Sequence, residues 1–211
     1  IAAKSIVTLI SNWRVPRGGI LRNAIIPSHS IGYFVGCWAW DCWRFSAAMA
    51  SFAPELAKDN IRVMFDYQLP DGMVIDCIYP DTTENNSRDS KPPLATWAVN
   101  RIYESTKDTA FVREMYPKLL KYHRWWYAKR DHNHNGICEF GSCDGTLEAA
   151  AWESGMDNAI RFDSSKMVKN DDDAWSMDQE SVDLNGYLGY EYGLLSKLAA
   201  ILGEEFTQPD V

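Results

Sequence analysis

The chain has 211 residues, 46% of them hydrophobic and 24% charged, which suits one domain, or part of one, with a sizeable core. Lys+Arg 21 against Asp+Glu 29 gives a formal charge of −8, which argues against a nucleic-acid partner because such partners need a basic face. Nine Trp and ten Tyr exclude disorder, and the longest uncharged run, 23–40, holds Pro27, Ser28, His29 and two glycines, so no membrane span is expected.

In chain order, Ile6, Val7, Leu9 and Ile10 form an apolar stripe that predicts a helix over 3–13, broken by Gly18-Gly19. A second helix is expected over 42–52, before Pro54. Pro54 suits the first turn of a third, over 54–68. Pro70-Asp71-Gly72 marks a turn, and 73–78 is the only stretch with strand-like alternation. Pro92-Pro93 opens a helix over 93–104. Asp108 is a plausible N-cap for another that runs to about 130. The last long helix is expected over 180–202, closed by Gly203. The class is therefore all-α, and chemistry is sought in the loops. Both ends read as cut, so 1–211 is expected to be a partial domain. Five cysteines at irregular spacing form no disulfide framework and leave the compartment open.

Three constellations carry chemistry. Gly36-Cys37-Trp38-Ala39-Trp40-Asp41-Cys42-Trp43-Arg44 interleaves indoles with Asp and Arg at a loop-to-helix junction. Flat indoles stack on sugar rings and the charged groups bond hydroxyls, although burial of the tryptophans in a core explains the composition equally simply. Asp131-His132-Asn133-His134-Asn135-Gly136-Ile137-Cys138-Glu139 begins like an EF-hand loop, with side-chain oxygens at alternate positions and Gly at the sixth. Calcium takes six to eight hard oxygen ligands, which such a loop can supply. The alternatives are an ion-free turn, or zinc on His132, His134, Cys138 and Cys143, whose spacing matches no common zinc pattern. Trp152-Glu153-Ser154-Gly155-Met156-Asp157 sets two carboxylates beside a Trp. Glycoside hydrolysis needs a carboxylic acid on the leaving oxygen and a carboxylate across the ring. Asp171-Asp172-Asp173 reads as a solvated loop.

With these motifs, and with Leu9-Ile10-Ser11-Asn12-Trp13-Arg14, Lys91-Pro92-Pro93 and Gln179-Glu180-Ser181-Val182-Asp183 in the same order, the chain resembles bacterial members of glycoside hydrolase family 63, α-glucosidases, and more distantly the family 37 trehalases. The resemblance implies an (α/α)6 barrel, of which only the N-terminal part is expected here, and an inverting mechanism on α-glucosides. It implies Asp157 as general acid. It also implies Trp40, Asp41, Lys91, Trp152 and Glu153 at positions that line or support the sugar pocket. Structural calcium would lie on Asp131, Asn133, Asn135, Ile137 (through its carbonyl) and Glu139, with Glu180 arriving from a distant helix. The family's general base, a Glu further along the chain, has no counterpart: Glu191, Glu204 and Glu205 lie in or at the end of a helix. Three expectations follow. The isolated chain is inactive. Its partner in substrate terms is an α-glucoside di- or oligosaccharide. Exposed core surface meets the rest of the barrel or a second copy. A calcium-dependent carbohydrate-binding module, using Trp40 and Trp43 as its platform, and a trehalase are the rival readings; Lys91, where trehalases carry Gln, leans against the latter.

Overall fold

The computed structural model describes residues 2–206. Helix α1 (Ala2–Ser11) is followed by an antiparallel pair, β1 (Trp13–Arg14) and β2 (Ala24–Ile25). Strand β3 (Cys37–Trp38) runs directly into α2 (Ala39–Met49), so Trp40 and Asp41 fall in the first helical turn. This helix starts three residues earlier than its apolar pattern suggested. Pro54 opens α3 (Pro54–Phe65) at a position that needs no N–H donor. Strand β4 (Cys77–Ile78) pairs with β3, Trp38 opposite Cys77, and is all that the expected 73–78 strand becomes.

Helix α4 (Ala95–Thr106) ends on Lys107 in the left-handed region, at φ 57°. The Asp108 side chain then caps α5 (Thr109–Lys129), accepting from the Phe111 amide at 3.0 Å. Strand β5 (Gly141–Ser142), helix α6 (Leu147–Glu153), strand β6 (Met167–Asp171) and strand β7 (Ala174–Met177) follow. They lead to α7 (Val182–Leu202), closed by Gly203 at φ 70°. Glu180 lies ahead of that helix rather than within it.

The long helices pack around a shared core, α2 with α3 and α4, α3 with α4, α4 with α5 and α7, and α5 with α7. The chain is mostly helical, as an α-helical toroid fragment would be. It is not purely α: β7 sits between β5 and β6 in a three-stranded antiparallel sheet. The three aspartates 171–173 form the tip of the β6–β7 hairpin, two of them paired with Lys129 from α5. Trp43 is fully buried against Phe65 and so is not part of any platform. Glu191 is also in the core, where it accepts from Thr96 at 2.7 Å and lies 2.8 Å from His123. Apolar surface is left uncovered on α1, which buries no residue, and at Val182, 88% exposed.

Candidate active site

A cleft of about 630 Å³ opens where the start of α2, the β3–β4 pair, the 84–91 segment and the loop after α6 meet. Trp38 and Trp40 line one part of it, brought there by the strand-to-helix junction, and Trp152 contributes from the last turn of α6. Trp40 has two fixed neighbours. The Arg44 guanidinium lies 3.7 Å from its ring, and Tyr187 of α7 meets it edge-on at 6.1 Å. Arg88 covers Trp152 at 5.0 Å.

The loop after α6 turns at Gly155, φ 70°, a conformation that L side chains adopt rarely. A Cβ there would already touch the Trp40 ring at 3.5 Å. The turn brings Asp157 onto the cleft wall, exposed to solvent. Asp41 faces the same space half-buried; burial raises its carboxyl, and Arg44 and Lys91 partly offset the rise.

Lys91 is buried at the cleft base. Its Nζ donates to the Trp152 carbonyl and lies 3.3 Å from Asp76 and 3.4 Å from Asp89. Burial works to lower its pKa, but the two carboxylates more than offset this and the net shift is upward. Asp76 lines the cleft just before β4, and burial pushes it up to about 6. Asp89, behind it, is pushed up to about 8 by burial and by Asp76. Sequence reasoning missed both. A lone acid within the apolar run 73–79 was the available signal, since a buried charge demands a partner.

Of the residues expected in the pocket, Trp40, Asp41, Lys91, Trp152 and Asp157 do line one cleft. Glu153 does not. It is fully buried, and its carboxylate is held by Arg130 and by two backbone amides. It is the last residue of α6 and is absent from the cleft lining.

The 131–139 loop lies beyond Arg130. Asp131 accepts from the Asn135 amide at 3.1 Å and from the Gly136 amide at 2.8 Å, and Asn133 also accepts from Asn135, at 3.2 Å. Asn135 donates to Glu180 at 2.8 Å, so the distant acid does reach the loop. Asn185 of α7 clamps both backbone groups of Cys138. Glu139 is fully buried; its Oε2 lies 3.1 Å from His132 Nδ1, and its Oε1 has no hydrogen-bond partner. An orphaned carboxylate oxygen in the same short loop as buried Asp131 and two side-chain amide oxygens fits a hard cation. Ile137 is exposed, and its side chain carries no ligating atom, so it could offer a cation only its carbonyl. Among the described residues no three His, Cys, Asp or Glu side chains converge as a metal site, which holds for Asp131, Glu139 and Glu180 as it does for His132, His134, Cys138 and Cys143.

Residues 35–209 match the family model described as the mannosylglycerate hydrolase MGH1-like glycoside hydrolase domain. The chain is 30% identical over 146 residues to mannosylglycerate hydrolase MGH1 of Selaginella moellendorffii, covering 60% of this chain and 28% of that protein. It is 29% identical over 160 residues to mannosylglycerate hydrolase of Thermus thermophilus, covering 65% and 36%. It is 27% identical over 158 residues to glucosylglycerate hydrolase of Mycolicibacterium hassiacum, covering 60% and 34%. Among solved structures, a glycoside hydrolase family 63 mannosylglycerate hydrolase from Thermus thermophilus, in complex with Tris and D-glycerate, superposes with a TM-score of 0.72, at 22% identity, over 97% of this chain and 60% of that one. That similarity shows a common fold. The match spans about a third of the length of these curated relatives.

Proposed function

The chain belongs to the mannosylglycerate hydrolase MGH1-like glycoside hydrolase domain family, within glycoside hydrolase family 63, and from that premise we propose that its cleft is the sugar-binding, acid-donating side of an inverting hydrolase active site. The observation that carries this is the convergence of Asp157 with Trp40, Trp152, Asp41 and Lys91 on one cleft. Asp157 gives its proton to the glycosidic oxygen as the bond from the anomeric carbon to that oxygen breaks. A water attacks the opposite face, and a second carboxylate takes its proton. Glu191 cannot be that base because it is spent in the core, and Glu204 lies at the end of α7 beside Arg113. On the family resemblance the base is a Glu from a segment outside these residues, and on that reading the 211-residue chain alone is inactive.

The substrate is a hexose α-linked to glycerate. The support is the names of the relatives, mannosylglycerate and glucosylglycerate hydrolases. This narrows the α-glucosidase reading to a small, carboxylate-bearing leaving group, with di- and oligosaccharide α-glucosides as the competing substrates. Calcium binds the 131–139 loop through Asp131, Asn133, Asn135, the Ile137 carbonyl and Glu139, with Glu180 joining it. The ion's part is structural: it ties the end of α5 to the approach of α7. The rest of the barrel covers the apolar surface of α1 and the start of α7.

The test is a substrate panel. The protein as its gene encodes it is assayed on α-glucosylglycerate, α-mannosylglycerate, maltose and trehalose. Hydrolysis of a glycosylglycerate ahead of both disaccharides supports the reading. Preference for maltose or trehalose overturns the substrate, and sugar binding without hydrolysis of any of the four would make the chain a carbohydrate-binding module.

A further inference from the structure

Resting on the reading of Asp157 as the acid, the geometry points to Glu153 and Arg130 as positioning residues for it, acting from behind the cleft without touching substrate. Glu153 is the last residue of α6, and the acid loop begins one residue later. Its carboxylate accepts four hydrogen bonds and exposes no surface. Arg130 Nε and Nη2 donate at 2.8 Å each, the Ser90 amide at 3.1 Å and the Gly141 amide at 2.6 Å. These donors come from three separate parts of the site.

Ser90 precedes Lys91 in the chain. Tyr122 of α5 fixes both, its hydroxyl 2.7 Å from Ser90 Oγ and donating to the Lys91 carbonyl at 2.6 Å. Lys91 in turn donates to the carbonyl of Trp152, the neighbour of Glu153. A closed circuit results, from Glu153 through Ser90 and Lys91 back to Trp152. It sets where α6 ends relative to the base of the cleft, and so where Asp157 starts from.

Arg130 is held with equal care. Its guanidinium lies over Trp125 at 4.6 Å, and its own carbonyl accepts the Glu139 amide at 2.7 Å. Gly141 is required beside it: a Cβ there would lie 2.8 Å from Arg130 Cδ and 2.0 Å from the Trp175 carbonyl. A bidentate pair with every carboxylate lone pair in use is far more specification than a helix end needs for stability. Replacement of buried ion pairs by apolar groups is often neutral for folding. What such a pair supplies is direction.

A leaving group that departs without a proton separates positioning from stability. α-Glucosyl fluoride needs little acid assistance, whereas a glycosylglycerate needs a full proton transfer. Glu153→Gln and Arg130→Lys are compared with the unaltered full-length protein on both substrates, with Asp157→Asn as the reference for a lost acid. A displacement of the acid by about 1 Å costs on the order of 10²-fold in rate. The expected result is a loss of roughly that size in kcat on the glycosylglycerate, with KM little changed and fluoride hydrolysis kept, the same pattern as Asp157→Asn. Arg130→Lys preserves the buried charge balance and carries the comparison if Glu153→Gln fails to fold. Equal loss on both substrates, or loss on neither, overturns the positioning role. If Asp157→Asn itself does not spare the fluoride, the acid assignment fails instead, and with it the premise.

Discussion

Lys91 Nζ sits 3.3 Å from Asp76 Oδ1, with both side chains nearly sealed from solvent at the base of the cleft. The same ammonium is 3.4 Å from Asp89, so one buried cation lies close to two buried acids. Asn86 bridges the two acids, donating to each at 2.8 Å. Burial is the largest cause of the rise of Asp76 from 3.8 to about 6. The folded state therefore binds more protons than the unfolded one between about pH 4 and 6, and stability contributed here falls as pH rises through that window. Asp76→Asn removes the titration. The variant is expected to be more stable than the parent at pH 7, by on the order of 1–3 kcal/mol, with the difference vanishing near pH 3.5. Denaturant melts at the two pH values check this. A variant less stable at pH 7 would show that the Lys91 ion pair outweighs burial.

The cation loop makes a separate prediction. Glu139 Oε1 is buried and unpartnered, and burial raises its carboxyl. Added calcium is expected to raise the thermal midpoint and a chelator to lower it, with about 1.4 kcal/mol gained per tenfold excess over Kd. Glu139→Gln should abolish the response while leaving the calcium-free midpoint close to the parent's. Differential scanning calorimetry reads both. A midpoint that ignores calcium means the loop holds itself together through its own amide bonds.

Asp157→Asn removes the proton donor without changing side-chain size. On a glycosylglycerate, kcat is expected to fall by roughly 10²- to 10⁴-fold, the range that general acid catalysis supplies. Sugar binding, followed through the fluorescence of the cleft tryptophans, should persist. Retained activity would send the acid role elsewhere on the cleft.

Much of the scaffold was legible because long helices repeat their pattern many times. Asp108 and Gly203 sit at the two helix ends where their chemistry placed them, and Pro54 starts α3. The strands were not legible. β5 has two residues and β7 four, too short for alternation to register against neighbouring turns. Helix α6 hid for the same reason, at seven residues. Within the site, five of the expected pocket positions do face one cleft. Glu153 shares a motif with Asp157, but sequence spacing carries no direction, and a helix end between the two turns one carboxylate inward and the other outward. Trp43 failed similarly: one turn after Trp40, it faces Phe65. Asp76 and Asp89 stayed hidden because their significance lies in Lys91, which only the folded chain brings between them.

The most direct test of the central claim is anomer-resolved NMR of early turnover, with the protein as its gene encodes it acting on α-glucosylglycerate or α-mannosylglycerate. The account requires the β-anomer of the hexose to appear first and to mutarotate afterwards, because water must enter opposite the bond that Asp157 protonates. Initial release of the α-anomer would mean retention through a covalent intermediate, and would contradict the inverting mechanism and the water-activating base supplied from outside these residues.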